Sequence, residues 1–475
     1  MTAIDPDKHI LAFDVGSSAL KVTVFSQAGE ILARVEAGYP ANVPAHRQDP
    51  QAWWAAALAA ALQLRPMQIG AIVLTGTMEN LVPVRLSGDS VGDALLYSDP
   101  CGAPHMAALA EKLDGAASIM GNVPEPLMTA FKLAWLHDNA PDVFATADCF
   151  LPGSKDFLAL KLTGRAVTDP ACAATTGLMD ISTRDWSEPL LSLFGIERTR
   201  LPQILPATAI IGGLDAAAAK QFGLPPGIPV INGCGDGGAT TVGGGAERAD
   251  DVSLYLGTSG WVARVVEAGS GAPRPFYRLP HPLNPGIIEI APILSAGAAA
   301  EWARTTLNLD INQAEQGAAA ADESPRDIVF LPYLYGERSP FVDLDLRGAF
   351  FGLSASDKPG DLYYAVLEGV AFAIAENLRA MGGGGRTPTL VGGGALSIIW
   401  PQIIADVLDT DIAISADPVS ATSFGAFRIA ASALGLPPTE NAFSIAAHPR
   451  PERQVRIARL RQRFAAGTAF ARTLK

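Results

Sequence analysis

Hydrophobic and polar positions along the chain switch between a two-residue and a helical period. His9 to Val15 is an apolar run that ends in Gly16-Ser17-Ser18, and Lys21 to Phe25 alternates again. Gln27-Ala28-Gly29-Glu30 reads as a turn and Ile31 to Val35 as a third strand. The Ala-, Trp- and Leu-rich stretch from Gln51 to Leu64 predicts a helix, and Ile69 to Thr75 a short buried strand. Strands alternating with helices predict an α/β fold with a partly parallel sheet.

The same opening plan returns in the second half. Asp251 to Leu256 is strand-like, Gly257-Thr258-Ser259-Gly260 is a tight turn, and Trp261 to Val266 is again apolar and β-branched. A repeated hairpin of this kind points to a duplicated domain. The glycine-rich segment Val242 to Ala246 precedes the second copy and marks a boundary or hinge, so domains are expected over 1–245 and 246–475. Further on, Asp361 to Ala380 has helical spacing, Gly382 to Gly385 breaks it, and Thr389 to Val391 is a short strand. The basic stretch from Arg450 to Lys475 reads as a solvated surface helix.

Composition narrows the function. With 475 residues, 49% hydrophobic and 17% charged, the chain has material for more than one core. A formal charge of -13 argues against nucleic acid or an anionic membrane surface as partner. Such a protein must handle a phosphate-rich ligand locally, with backbone amides, a divalent cation and a few basic groups. Cys101, Cys149, Cys172 and Cys234 have neither C-x-x-C spacing nor a matching histidine cluster, which argues against a zinc site and fits a reducing compartment. The N-terminus lacks the basic and apolar regions of a leader, and no apolar run approaches the roughly 18 residues of a membrane span. The expectation is a soluble, cytoplasmic protein.

Four stretches carry candidate chemistry. Asp14 closes the first strand, where a carboxylate can hold Mg2+; Gly16, Ser17 and Ser18 offer close backbone approach and donors, and Lys21 adds charge. The same residues also read as an ordinary β-hairpin turn. Asp236, in Gly233-Cys234-Gly235-Asp236-Gly237-Gly238, has the setting of a phosphoryl-transfer base, or of a glycine-rich turn whose Asp bonds its own backbone. Gly257, Thr258 and Ser259 form a second donor-rich turn. Gly392-Gly393-Gly394 leads from a strand toward a helix running to about Leu408, whose N-terminus favours anions. The chain contains no G-x-x-x-x-G-K-[ST], and no G-x-G-x-x-G follows the first strand.

In this order the four stretches resemble the FGGY family of carbohydrate kinases, over about Ile10 to Ala430. Phe330 to Gly369 resembles the family's second-domain signature through Gly-Glu-Arg-Ser-Pro, Arg347-Gly348, Phe351-Gly352-Leu353 and Leu367-Glu368-Gly369; Thr129 to Trp135 and Leu151 to Asp169 resemble the first. The resemblance implies two ribonuclease-H or actin-like domains closing on sugar and Mg-ATP, with Asp14 and Asp236 facing each other across the cleft. It implies Asp236 as general base, Asp14 and Asp236 as the Mg2+ acids, and Gly16, Ser17, Ser18, Lys21, Gly257, Thr258, Ser259, Gly297, Glu301, Gly394, Ala395 and Ser397 at the nucleotide. Met78, Glu79, Asp99, Asp236 and Gly237 fall on the sugar side.

The pattern is most similar to xylulokinases, which implies D-xylulose as acceptor; a homodimer is one assembly to expect, with the oligomeric state left open. Three positions depart from it. Glu79 in Gly76-Thr77-Met78-Glu79-Asn80 stands where xylulokinases carry His, Cys101 stands where an Arg would pair Asp99, and Gly237 replaces an Asn. An acid at 79 accepts hydrogen bonds from a neutral polyol and disfavours a carboxylated acceptor. Ribulose, erythritol or a glycerol-like polyol are therefore alternative acceptors. An actin- or Hsp70-like ATPase is the competing class; the sugar-side segments at Gly76 to Asn80 and Tyr97 to Cys101 speak against it.

Overall fold

The computed structural model describes residues 5–40, 46–64, 67–113, 115–269, 274–439 and 441–474. Residues 1–4 of the expected leaderless start, and Lys475 of the basic C-terminal stretch, lie outside the described residues. The chain divides into two compact units, one of Met1–Gly243, Glu267–Ile288 and Thr422–Glu440, the other of Gly244–Val266, Glu289–Ala421 and Asn441–Lys475. A single boundary after Gly245 separates the bulk of the two but leaves 267–288 and 422–440 with the first unit.

The first unit is built on a sheet of β1 (His9–Val15), β2 (Ala19–Phe25), β3 (Ile31–Gly38), β4 (Ile69–Gly76), β5 (Ile210–Gly213) and β6 (Pro229–Gly235), in the order β5-β6-β4-β1-β2-β3. β1 pairs parallel with β4, and β4 with β6, while β2, β3 and β5 run antiparallel to their neighbours. Alternation along β1 sends Leu11, Phe13 and Val15 to one face, against Trp53, Trp54 and Phe157, and Ile10 and Ala12 to the other. Asp14 follows the parity of Ile10 and Ala12. The helix α1 (Pro50–Gln63) covers the first face, its start set by the Asp49 carboxylate accepting from the Gln51 amide at 2.9 Å and by Pro50.

The other face is covered by the late helix Ala421–Leu434, which explains why residues 422–440 return to this unit. Phe427 stacks on Phe25 at 5.0 Å between ring centroids and lies among Ile10, Ala12, Val73 and Ile231. A Cβ on Gly425 would stand 1.8 Å from the Ala239 carbonyl oxygen, so only glycine lets this helix lie against α2 (Asp236–Gly243). Thr422 and Thr240 join the two helices through their hydroxyls at 2.7 Å.

The second unit repeats the plan. Its strands are β7 (Val252–Leu256), β8 (Gly260–Val266), β9 (Ile287–Ile293), β10 (Thr389–Val391), β11 (Ile412–Ser415) and β12 (Phe443–Ala447), with neighbours in the order β9-β8-β7-β10-β11-β12. β7 is antiparallel to β8 and parallel to β10, β10 is parallel to β11, and β12 returns antiparallel. Strand for strand this is the neighbour order of β3-β2-β1-β4-β6-β5, so the echo read in the second hairpin extends through six of the sheet's seven strands.

Two expectations are corrected here. The basic helix Gln454–Ala471 is not simply solvated: Ile457, Leu460 and Phe464 are buried, while Arg456 pairs with the buried Glu368 at 2.5 Å. The glycines at 392–394 do not open the following helix. They form a short 3-10 turn over Gly393–Leu396, and the helix α3 begins only at Trp400 (Trp400–Leu408).

Phe427→Ala empties a buried aromatic site and is expected to destabilise the first unit by about 3–5 kcal/mol. Urea unfolding followed by fluorescence measures it; a shift below about 1 kcal/mol would mean that the late helix does not contribute to this core.

Candidate active site

Register places the first unit's candidate acids at one end of three adjacent parallel strands. Asp14 pairs with Thr75, and Thr75 with Cys234, so β1, β4 and β6 end level with one another. Asp236 follows β6 at the first position of α2, and Glu79 lies three residues beyond β4. Ligands of open α/β sheets bind outside such carboxyl ends. The strands approach closely because Gly233, at φ +67°, puts its backbone where a Cβ would stand 1.6 Å from the Leu74 carbonyl oxygen. Asp14 and Asp236 thus share one unit rather than standing on opposite domains.

Asp14 and Asp236 are partly exposed. Burial pushes the Asp14 carboxyl up to about 6, against the pull of Lys21 and with a further push from Glu36. Lys21 is its direct cross-strand partner. Burial, then the Asp14 charge, pushes Asp236 up to about 7, although the Gly237 amide donates to its Oδ1 at 2.8 Å. Two like charges held together in a partly desolvated site suit a divalent cation with oxygen ligands, so the residues fit Mg2+. The buried trio Asp156, Asp169 and Cys172 is a different case, because the Lys155 ammonium lies 2.8 Å from Asp156 and 3.1 Å from Asp169 and supplies the charge itself.

Gly16, Ser17 and Ser18 form the turn between β1 and β2, with both serines exposed. The Tyr39 hydroxyl donates to the Gly16 carbonyl at 3.2 Å, and Tyr97 shares a hydrogen bond with Ser17 while feeling the charge of Asp236. Met78 packs over Gly235, its sulfur 2.0 Å from where a Cβ there would stand. Glu79 is buried, sits at φ +58°, and its Oε2 accepts from the Tyr277 hydroxyl at 3.1 Å. Asp99 is also buried, and its missing arginine is replaced from elsewhere. Arg47 reaches Asp99 Oδ2 at 3.1 Å while lying over the Trp135 ring. The loss of an ion-pair partner expected from Cys101 therefore does not occur.

Tyr39, Lys132 and Tyr277 were not singled out by sequence reasoning as parts of this site, whereas Tyr97 opens the sugar-side segment Tyr97 to Cys101. Lys132 lies within the segment Thr129 to Trp135 that carries the first-domain signature, so a signal for it was present. Tyr277 had none, being brought to Glu79 across 198 positions of chain.

In the second unit the remaining candidates gather at the corresponding strand ends. Thr258 and Ser259 are exposed in the β7–β8 turn. The Gly297 amide donates to the Gly257 carbonyl at 2.9 Å and the Ala298 amide to that of Thr258 at 2.8 Å, which joins this turn to the helix Gly297–Thr306. Gly392 and Gly394 lie against Leu256 at the end of β7, whereas Gly393 has no atom within 4 Å of where a Cβ would stand. That open backbone is a surface on which a flat base can lie. Ala395 is buried. Glu301 is exposed and engaged by Arg304 at 2.6 Å. Ser397 is committed locally: its hydroxyl accepts from the Trp400 amide and donates to Glu315, whose carboxylate also takes the Ile398 amide. An acid thus already occupies the start of α3, which removes the anion-binding terminus expected there.

Two units of one strand plan, with paired acids at the strand ends of one and glycine- and hydroxyl-rich turns at those of the other, have the architecture of actin-like carbohydrate kinases. Residues 9–243 match the N-terminal domain and 286–434 the C-terminal domain of the FGGY family of carbohydrate kinases, and the chain belongs to that family. It is 33% identical over 410 residues to the xylulose kinase of Escherichia coli (strain K12), covering 84% of each chain. The crystal structure of a xyloylose kinase from Brucella ovis is 29% identical with a TM-score of 0.89, covering 98% of this chain and 99% of that one. The gluconokinase of Bacillus subtilis (strain 168) is 24% identical over 431 residues, covering 86% of this chain and 84% of its own. The protein is a sugar kinase. Among the described residues no helix is long and apolar enough to cross a membrane.

A carboxyl pKa above the free value of 3.8 means that the folded state binds protons more tightly than the unfolded chain. Stability from Asp14 and Asp236 is therefore complete below pH 3.8 and is lost as pH rises through about 6 and about 7. Asp14→Asn is expected to raise Tm at pH 8 more than at pH 5 and to bring the Asp236 carboxyl down. Scanning calorimetry and carboxyl 13C titration measure both, and a pH-independent Tm difference contradicts the coupling.

Proposed function

We propose that the protein transfers the γ-phosphoryl group of ATP to a hydroxyl of a neutral ketose, with D-xylulose as the first acceptor. The observation that carries this reading is the position of Asp236, a partly exposed carboxylate directly after β6, where the carboxyl ends of β1, β4 and β6 lie level. A carboxylate so placed can accept the proton of a bound hydroxyl. Asp236 takes the proton of the acceptor hydroxyl as that oxygen attacks the phosphoryl group. Asp14 and Asp236 would hold Mg2+, which when bound screens negative charge on the transferring oxygens. Gly16, Ser17 and Ser18 on the first unit, with Lys21 behind them, and Gly257, Thr258 and Ser259 on the second, offer amides and hydroxyls to the phosphates. Gly297, Glu301 and the backbone of Gly394 and Ala395 contact the nucleoside in this reading, whereas Ser397 supports them from behind.

On the acceptor side, Met78, Glu79, Asp99 and Gly237 serve the sugar. Its xylulose kinase relatives support D-xylulose. Glu79, already accepting from Tyr277, supports a hydroxylated and uncharged acceptor over an aldonate, whose carboxylate it would repel. The same Glu79, together with Gly237, favours a second reading in which the acceptor is another ketose or polyol such as ribulose, erythritol or glycerol.

ADP release measured against ketopentoses, hexuloses, polyols and aldonates separates these readings. D-xylulose is expected to give the highest kcat/KM; no signal from it alongside turnover of a tetritol or another ketose would transfer the assignment. Asp236→Asn is expected to lower kcat by about 10²–10⁴-fold with the ATP KM little changed. Strong sugar-independent hydrolysis that survives this substitution would instead place the protein among the ATPases.

A further inference from the structure

Glu79 is a non-glycine residue in the left-handed region, at φ +58°, and it is buried. A side chain at such a backbone conformation is strained and persists only where its surroundings hold it. The grip comes from the first turn of the helix Thr129–Asn139. The fully buried Lys132 ammonium donates to the Glu79 carbonyl at 2.6 Å, and the Thr129 hydroxyl donates to the next carbonyl, that of Asn80, at 2.9 Å.

The rest of the loop is fastened from its other sides. The Asn80 side chain donates to the Thr77 carbonyl at 3.0 Å and accepts from the Tyr97 amide at 3.0 Å. The Asn80 amide donates to Pro152 at 2.9 Å. An ammonium buried without compensating charge would be strongly unfavourable, and here Glu79 and Asp99 provide that charge. Removing the ammonium leaves a buried carbonyl unsatisfied and the buried Glu79 and Asp99 with less compensation.

We infer that Lys132 is a positioning residue of the acceptor site, fixing the backbone of Glu79 so that its carboxylate faces the sugar; this rests on the reading of Glu79 as a sugar contact. Lys132 touches neither nucleotide nor phosphoryl group in this account, so its loss acts on the acceptor alone.

The test is steady-state kinetics of the full chain with D-xylulose, or the panel acceptor that gives turnover, and ATP varied separately. Glu79→Gln first checks the underlying reading and is expected to raise the acceptor KM; no change overturns that reading and the proposal with it. Lys132→Met is expected to raise the acceptor KM by about tenfold or more while the ATP KM stays within about twofold. If Glu79→Gln raises the acceptor KM but Lys132→Met does not, or raises both KM values alike, Lys132 is not a positioning residue for the acceptor. Should Lys132→Met not fold, Thr129→Val, which removes the neighbouring hydrogen bond to Asn80, takes its place. A rise of about three- to tenfold in acceptor KM alone supports the clamp, and an unchanged value overturns it.

Discussion

The repulsion between Asp14 and Asp236 organises the first unit's site. Two carboxylates held at the level ends of β1 and β6, on either side of β4, keep protons that free aspartates would lose. The fold sustains this because the strands cannot move apart: β1, β4 and β6 share one hydrogen-bonded ladder, and Gly233 brings β6 against Leu74. The late helix Ala421–Leu434 then presses α2, with Asp236 at its start, onto the same face. Stability spent in this way is what gives a cation or a reacting hydroxyl something to relieve.

The two units solve one topological problem with opposite chemistry. Each places three parallel strand ends side by side, because a strand order with the hairpin on one flank and an antiparallel strand on the other leaves the same edge open. In the first unit those ends carry acids and a strained glutamate. In the second they carry glycines and small hydroxyl residues, with Thr258 and Ser259 exposed and open space over Gly393. A negatively charged protein can manage a phosphate-rich ligand in this way without a basic surface.

Tertiary structure also compensates where the motif looked deficient. Cys101 brings no positive charge to Asp99, yet Arg47 reaches it from an earlier segment while lying over Trp135. Lys132 adds a second cation near Asp99 and Glu79. An ion pair needs proximity in space rather than a particular spacing in sequence, so a substitution at one motif position does not by itself delete the interaction. The converse holds at Ser397, where a hydroxyl in an apt motif is already occupied by Glu315 and the Trp400 amide.

Local pattern alone determined the strands from His9 to Gly76, the helix after Asp49, and the second hairpin, because period and capping chemistry act over a few residues. It also brought out Asp14, Asp236 and the glycine-rich turns, since a carboxylate or a backbone amide at a strand end is visible as residue types in order. What only the tertiary structure decided depends on distant segments meeting: the return of 267–288 and 422–440 to the first unit, Tyr277 on Glu79, Arg47 on Asp99, and the ammonium of Lys132 on a strained carbonyl. Such contacts are set by packing and by the demand that every buried charge find a partner, and neither is written in the spacing of the residues that meet.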